Sequence, residues 1–222
     1  MLVVAYNSWI QRVCPAPRRY LAQLVVRFGL KTGLDVGCGE SSPLTPLRKN
    51  GFRSIGLDAS PERLENARRR SEHDEYYCAD ILTFPLDSLP PVDVVVMSHV
   101  IEHLSREDGL RLLQVAERFA RRLIYVETPR GFMEQLDCLQ GDLLQEHRSG
   151  WFPWDFEARG YMVFGSGLGL LRPRHGRPSA LPESLTRWTG RLAQAVVFRN
   201  PQWSSAIAAI QYRDEQGNIR TI

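Results

Sequence analysis

The stretch LDVGCGE, residues 34–40, decides the fold of this chain. Its first three residues have the pattern of a strand end, and Gly37 and Gly39 follow at the spacing of a tight turn. Glycine has no Cβ and permits positive φ, so the backbone of such a turn can approach a ligand closely. The N–H groups that open the next helix can meet a negatively charged group. The stretch therefore predicts a strand, a turn and a helix start arranged around a cofactor.

Short apolar strands alternate with helices on both sides of this stretch. Five such strands indicate βαβ units, and hence an α/β fold with a doubly wound parallel sheet. Ser60 stands where a helix N-cap would precede a proline. We predict strands at Gly33–Val36, Ser54–Leu57, Tyr76–Ala79, Val92–Met97 and Leu123–Val126, and helices at Arg18–Phe28, Pro43–Asn50, Pro61–Arg70 and Arg106–Ala120.

The last third of the chain has a weaker pattern. Thr128–Gly150 is predicted to be a loop, and about forty residues separate the last two strands, more than a simple connection needs. We predict one domain over residues 1–222, with an N-terminal helical segment at 1–29 and a C-terminal insertion at about 165–205. The elements predicted here are a helix at Trp151–Arg159 capped by Ser149, a strand at Tyr161–Phe164, a helix at Ser184–Arg199 and a strand at Ala206–Tyr212.

Composition excludes several classes of protein. The net charge of +3 is too small to indicate nucleic-acid binding by itself. The four cysteines contain no CxxC pair, which argues against a zinc site and a disulfide framework. No charged N-terminal region precedes a long apolar run, and no stretch of about 18 apolar residues occurs. We therefore predict a cytoplasmic protein without a signal peptide or a transmembrane helix.

Acidic residues follow two further strands at their carboxyl ends. Asp58 ends the second strand and could accept hydrogen bonds from ribose hydroxyls, whereas Asp80 follows the third and could accept one from an adenine amine, with Ile81 packed on the ring. A dinucleotide enzyme would share the first of these features. Its GxGxxG fingerprint, however, requires a third glycine where this chain has Ser42.

At this point the chain resembles the class I S-adenosylmethionine (SAM)-dependent methyltransferases over about residues 30–130, because LDVGCGE matches their acid-x-Gly-x-Gly motif. The resemblance implies a Rossmann-like, mostly parallel seven-stranded sheet whose last strand is antiparallel. It also implies SAM as the cofactor and a fourth motif at residues 92–99, which lines the sulfonium region. The implied cofactor residues are Asp35, Gly37, Cys38 and Gly39 at the methionine part, Asp58 and Ala59 at the ribose, Asp80 and Ile81 at the adenine, and Ser98 near the methyl group.

Three histidines are candidates for deprotonating a methyl acceptor. His103 is the first candidate, because the Glu-His-Leu stretch at 102–104 is similar to one in many small-molecule methyltransferases; it could instead pack against or cap the next helix. His99 could line the acceptor pocket or simply abut the cofactor. His147 starts a His-x-Ser-x-Trp run similar to one in some bacterial methyltransferases. Glu102 beside His103 offers only two adjacent ligands, so we predict no metal.

These features favour methyl transfer from SAM to a hydroxyl of a small-molecule acceptor, such as a sugar, a lipid-linked compound or a secondary metabolite. A protein methyltransferase and a non-catalytic SAM-binding protein remain open. Nucleic acid is disfavoured, since the fourth strand ends in Met97-Ser98-His99 rather than in an Asn/Asp-Pro-Pro-aromatic stretch. Ser184–Arg199 has an apolar stripe that could touch a membrane, although such stripes more often face a core. The oligomeric state is left open.

Overall fold

A computed structural model describes residues 16–133, 143–168 and 194–222 of the chain. Short 3-10 helices lie at Thr45–Asn50, Leu86–Ser88, Ile101–His103, Leu143–Gln145 and Pro201–Trp203. The other elements, in chain order, are α1 (Pro17–Arg27), β1 (Thr32–Val36), β2 (Arg53–Asp58), α2 (Pro61–Arg69), β3 (Glu75–Cys78), β4 (Val94–Ser98), α3 (Arg106–Phe119), β5 (Leu123–Pro129), α4 (Pro153–Glu157), β6 (Met162–Leu168), β7 (Ser204–Arg213) and β8 (Ile219–Arg220).

The sheet has the strand order β3-β2-β1-β4-β5-β7-β6, with the short β8 paired to β7. Strands β1 to β5 are parallel, and β7 inserts antiparallel between β5 and β6. This arrangement confirms the predicted doubly wound fold, with β7 as the antiparallel strand, and adds β8 as an eighth strand that the sequence does not predict. The strand order reverses between β1 and β4, and ligands of such sheets bind at this switch point, beyond the carboxyl ends of the strands.

Both faces of the sheet are buried, and β4 shows why its sequence is so apolar. Val94 and Val96 join the core formed with α1, whereas Val95 and Met97 join the core formed with α3, and all four side chains are fully buried. Alternate residues of a strand point to opposite faces, so a strand covered on both sides reads as a continuous apolar run.

Several predicted elements differ from the observed ones. The helix predicted at Pro43–Asn50 is a 3-10 helix, Thr45–Asn50. Ser60 caps α2 as predicted, since its hydroxyl accepts a hydrogen bond from Arg63 N. The cap predicted at Ser149 is wrong: Phe152 precedes α4, and the Ser149 hydroxyl donates instead to Ile101 O at 3.0 Å. A serine can satisfy a nearby carbonyl as readily as a helix end, and only the tertiary structure decides between them.

The flanking segments are described in part. Residues 1–15 of the predicted N-terminal segment lie outside the described residues, as do 169–193 of the predicted insertion. β6 continues to Leu168 and β7 begins at Ser204, and the insertion at about 165–205 stays a prediction. Of the helix predicted at Ser184–Arg199, residues 194–198 are helical and 184–193 lie outside the described residues. Among the helices of the described part, none has the length and apolar character needed to cross a membrane.

Candidate active site

The glycine turn after β1 depends on positive φ and on close packing. Gly37 and Gly39 have φ of 67° and 54°, in the left-handed region that favours glycine. The N–H groups of Gly37 and Cys38 both donate to Leu57 O, at 2.7 and 3.1 Å, which fastens the turn to β2. A Cβ on Gly37 would lie 2.6 Å from Val100 Cγ2. Glycine is therefore required at this position by conformation and by space.

Asp58 at the end of β2 connects the glycine turn to α2. One of its carboxylate oxygens accepts from Gly39 N and the other from Ser60 N, both at 2.8 Å. The carboxylate thus holds two backbone segments in place at the edge of the cleft. Each of its oxygens retains a second lone pair that can accept a hydrogen bond.

Asp35 lies beneath the glycine turn and does not line the cleft, although the sequence predicts it beside the methionine. Its carboxylate accepts a short hydrogen bond from Ser42, and burial raises its pKa to about 7, against the opposing effects of that bond and of Arg18. His73 Nε2 lies 3.8 Å away, and burial, assisted by the charge of Arg48, lowers the pKa of His73 to about 4. Asp35 therefore supports the turn from below.

A cleft of about 540 Å³ opens at the carboxyl ends of the strands. All the predicted cofactor residues other than Asp35 line it: Gly37, Cys38, Gly39, Asp58, Ala59, Asp80, Ile81 and Ser98. His99 and His103 line the same cleft, from the side of β4. The other lining residues were not predicted individually, although Glu40 and Leu104 lie in the quoted motifs; they are Arg18, Glu40, Ser41, Arg63, Leu82, Val100, Leu104, Leu144, Gln145 and Arg148.

Arg18 reaches the cleft from the first turn of α1. Its Nε donates to Glu127 Oε2 at 2.8 Å, and its Nη2 donates to Ser98 Oγ at 3.0 Å. Ser98 Oγ in turn donates to the same Glu127 oxygen at 3.0 Å. These contacts fix the guanidinium at the ends of β4 and β5, while 48% of the side chain stays accessible to a ligand.

His99 and Glu102 form a hydrogen-bonded pair at the end of β4. His99 Nδ1 lies 3.1 Å from Glu102 Oε1, and the other carboxylate oxygen accepts from Thr128 Oγ1 at 3.0 Å. The bond to Glu102 raises the pKa of His99, with burial opposing it. Glu102 is almost fully buried, whereas 45% of the His99 side chain is exposed. The pair therefore presents an oriented imidazole to the cleft.

His103 and His147 meet although they are far apart in the sequence, with ring centroids 4.9 Å apart. His103 Nδ1 lies 3.2 Å from Glu146 O, and His147 Nδ1 lies 2.6 Å from Met133 O. Burial lowers the pKa of His103. One ligand atom from each of Glu102, His103 and His147 lies within 4.8 Å of the other two, so these residues could hold a metal ion. The structure thus brings all three candidate histidines around Glu102.

Residues 34–123 match the family model described as "Methyltransferase domain". A curated relative, an uncharacterized 37.1 kDa protein in transposon TN4556 of Streptomyces fradiae, is 35% identical over 115 residues, which cover 48% of this chain and 32% of that protein. The mitochondrial ubiquinone biosynthesis O-methyltransferase of Bos taurus is 27% identical over 129 residues, or 46% and 35% of the two chains. The match thus spans about a third of the length of each curated relative.

Solved structures share the fold. A SAM-dependent methyltransferase from Archaeoglobus fulgidus aligns with a TM-score of 0.50 and 20% identity over 92% of this chain and 98% of that one. The methyltransferase domain of bacterial CtHen1-C gives 0.55 and 18% over 87% and 94%. The plantazolicin methyltransferase BpumL, in complex with SAH, gives 0.53 and 16% over 90% and 83%.

The strand order, the glycine turn and the family model all indicate the same assignment. The sheet reverses at β1 and β4, and the turn after β1 opens into the cleft where the predicted cofactor residues meet. The family model begins at that motif and extends to the start of β5. Residues 34–123 thus match a methyltransferase domain, and the described part of the chain has the fold of the solved SAM-dependent methyltransferases.

Proposed function

We propose that this chain transfers a methyl group from SAM to a hydroxyl oxygen of a small-molecule acceptor. One observation carries the proposal: a single cleft contains the glycine turn with Asp58 and Asp80, and also His99 held by Glu102. The first group suits a nucleoside-containing methyl donor. The second suits the removal of a proton from an acceptor placed beside it.

In this proposal the donor lies along the carboxyl ends of β3, β2 and β1. Asp80 and Ile81 receive the adenine, Asp58 uses its remaining lone pairs for the ribose hydroxyls, and the glycine turn contacts the methionine part. Arg18 binds the methionine carboxylate, because a fixed and half-exposed guanidinium suits a carboxylate partner. The sulfonium methyl then lies near Ser98, and His99 follows directly in the chain.

The reaction is an in-line displacement. The acceptor oxygen forms a bond to the methyl carbon as the carbon–sulfur bond breaks, and the electron pair of that bond stays on sulfur to give S-adenosylhomocysteine. The hydroxyl proton goes to His99 Nε2. Alignment of the reactants can supply roughly 7–11 kcal/mol, and a positioned base contributes about 10²–10⁴-fold in rate.

His99 replaces His103 as the preferred base on geometric grounds. A base is most effective when a third group orients it, and Glu102 accepts from Nδ1 of His99, which leaves Nε2 free toward the cleft. His103 instead directs Nδ1 to a backbone carbonyl beside His147. This assignment agrees with the sequence-based alternative in which His99 lines the acceptor pocket.

Calorimetric titration with S-adenosylhomocysteine tests cofactor binding. We expect saturable binding that weakens about tenfold in Asp80→Ala, because a hydrogen bond to a charged group contributes roughly 1.5 kcal/mol. Asp80 suits this test because its side chain is exposed and bonds Leu82 N within its own turn. Saturable binding of NADH instead of S-adenosylhomocysteine would contradict the proposal.

Incorporation of a labelled methyl group from SAM into extracts of the producing cells tests the transfer. A labelled small molecule whose methyl group is on oxygen supports the proposal, whereas a labelled protein or no product in spite of SAM binding contradicts it. The cytoplasmic location, the absence of nucleic-acid substrates and a contact with membranes or lipid-linked acceptors stay predictions.

A further inference from the structure

We propose that Arg63 and Gln145 form a clasp that holds residues 143–148 across the cleft and sets how fast the cofactor enters and leaves. We call residues 143–148 the strap. Arg63 lies in the first turn of α2, and Leu144, Gln145 and Arg148 of the strap line the same cleft. The inference rests on the place that the proposed function gives to the cofactor, along the ends of β3, β2 and β1.

The clasp is a hydrogen bond between an amide and a charged group. A guanidinium has only donors, so the Gln145 amide turns its oxygen toward Arg63 and accepts from Nη1 at 2.7 Å and from Nη2 at 3.3 Å. Both side chains are partly buried, so water competes less for the contact than it would at an open surface. Hydrogen bonds to charged groups are stronger than those between neutral groups. The strap is therefore joined to α2.

The other end of the strap is fastened to the 3-10 helix Ile101–His103. Arg148 N donates to Glu102 O at 2.7 Å. His103 Nδ1 lies 3.2 Å from Glu146 O and carries the proton, because a carbonyl oxygen can only accept. These backbone contacts fix the strap beyond the end of β4. The strap can therefore open at the clasp while this end stays in place.

The strand order shows that the strap crosses the cleft. α2 follows β2, the 3-10 helix follows β4, and β1 lies between these two strands in the sheet. A segment joined to both helices passes over the carboxyl end of β1, where the glycine turn lies. In the proposed function this turn contacts the methionine part of the cofactor, and the neighbouring Asp58 binds the ribose. The strap therefore covers the middle of the cofactor.

The cofactor offers Arg63 no anionic group of its own. In dinucleotide enzymes an arginine near the acid of the second strand can bind the 2′-phosphate of NADP. SAM has no phosphate, and the proposed function places its carboxylate at Arg18, beyond the ends of β4 and β5. The charge of Arg63 therefore serves the contact with Gln145, which joins two protein segments.

A clasp between two protein groups slows entry and exit alike. The contact forms between side chains of the chain itself, so it has to break whenever the cofactor passes in either direction. A residue that only touches the bound cofactor would instead change the dissociation rate and the affinity together. The association and dissociation rates therefore distinguish a clasp from a binding contact.

Surface plasmon resonance on the immobilised chain, with S-adenosylhomocysteine as the probe, measures both rates. Gln145→Met keeps the length of the side chain and removes the amide. We expect both rates to rise about tenfold, as one hydrogen bond to a charged group is lost, whereas the affinity changes far less. Gln145→Glu gives Arg63 a charged partner and should lower both rates. In an Arg63→Met background, Gln145→Glu should have no such effect, because the coupling needs both groups.

Arg69→Met is the matched control for Arg63→Met. Arg69 lies on the same helix, with Nε 3.2 Å from Glu65 Oε1, and is outside the cleft, so its substitution should leave both rates unchanged. Circular dichroism checks that each variant is folded. Rates that Gln145→Met leaves unchanged, or a change in the dissociation rate alone, overturn the clasp. The expected rates together with methyl transfer to protein would overturn the proposed function and leave the clasp standing, whereas no binding of S-adenosylhomocysteine overturns both.

Discussion

At the scale of single residues, Glu102 organises the cluster of the three candidate histidines. Its carboxylate orients His99, and its backbone carbonyl holds the loop that brings His147 against His103. The sequence indicates which residue types stand near the methyl group. It cannot indicate this arrangement, because residues 104–146 separate His103 from His147 in the sequence, and only tertiary contacts bring the two side chains together.

His99→Asn should separate proton transfer from cofactor binding. His99 has a φ of 57°, a conformation that asparagine tolerates, so the backbone is expected to remain in place. Loss of the base should lower kcat about 10²–10⁴-fold, while the affinity for S-adenosylhomocysteine changes little. Kinetics on the identified acceptor, together with calorimetry, provide the measurement. A kcat close to that of the unsubstituted protein would exclude His99 as the base.

Arg18→Met should weaken binding of ligands that carry a carboxylate. Methionine keeps the apolar stem and removes the charge, so the affinity for S-adenosylhomocysteine should fall about tenfold or more, as a charge-assisted hydrogen bond is lost. Methylthioadenosine has no carboxylate and serves as the control ligand. Calorimetry should show the loss for the first ligand only, and equal losses for both would mean that Arg18 acts by shaping the cleft.

The cofactor side of the cleft shows what a sequence can predict at this scale. Residues at the ends of parallel strands must meet at one edge, so Asp58, Asp80 and Ser98 follow from the strand pattern and line the cleft. Asp35 has the same pattern but lies under the turn, because alternate residues of a strand face opposite sides. The sequence does not predict that Arg18 lines the cleft, because its position depends on how α1 packs across the sheet.

At the scale of elements, the glycine turn that follows β1 is the most constrained segment of the site. Gly37→Ala combines a left-handed φ with a Cβ placed 2.6 Å from Val100 Cγ2, whereas Gly39→Ala meets nothing within 4 Å. At either glycine, the left-handed φ alone should cost an alanine variant about 1–2 kcal/mol of stability. We expect chemical denaturation to show a clearly larger loss of stability for Gly37→Ala.

The two substitutions should also differ in how they reduce cofactor binding. Gly39 lines the cleft, so a methyl group there reduces the affinity for S-adenosylhomocysteine while the protein stays folded. Equal stabilities for the two variants would mean that Val100 moves aside without cost, and would remove the packing argument for Gly37.

Element boundaries follow from the sequence where burial decides them. β1, β2, β4 and β5 lie where apolar runs predict them, within a few residues, because both of their faces are covered, whereas the edge strand β3 is only partly buried. α4 is shorter than predicted, and Trp151 belongs to the core rather than to the helix. Its indole N–H donates to Ile101 O and to Ser149 Oγ, and no local sequence pattern predicts these contacts.

At the scale of the whole molecule, a buried polar pair connects the first three strands. Asp35 stands on β1, and His73 precedes β3 and bonds Ser54 of β2 through Nδ1 at 3.0 Å. Burial raises the pKa of Asp35 to about 7, with Ser42 and Arg18 opposing and Asp58 and Glu72 reinforcing it. Burial lowers the pKa of His73 to about 4, with Arg48 reinforcing and Asp74 opposing it. Both residues are thus neutral in the folded protein between these pH values.

These shifts have opposite effects on the pH dependence of stability. His73, with a lowered pKa, stabilises the fold fully above its ordinary value of 6.5 and loses this contribution as the pH falls toward 4. Asp35, with a raised pKa, stabilises the fold fully below its ordinary pKa of 3.8, and this stabilisation is lost as the pH rises toward 7. Folded and unfolded chains each hold one proton on the pair between about pH 4 and 6.5, so its net contribution should stay nearly constant there.

Single substitutions should expose the two opposing slopes. In Asp35→Asn only His73 still titrates, so the free energy of unfolding, relative to the unsubstituted protein, should rise by roughly 3 kcal/mol from pH 4 to 6.5. In His73→Gln only Asp35 still titrates. The free energy of unfolding, relative to the unsubstituted protein, should therefore fall by a similar amount from pH 4 to 6.5. Urea denaturation across this range measures both, and all other titrating groups cancel in the differences. A flat difference for Asp35→Asn would mean that His73 keeps its ordinary pKa in that variant, and would contradict the lowered pKa that burial gives it. A rising slope for Asp35→Asn and a falling slope for His73→Gln would show that burial favours the neutral form of each remaining side chain.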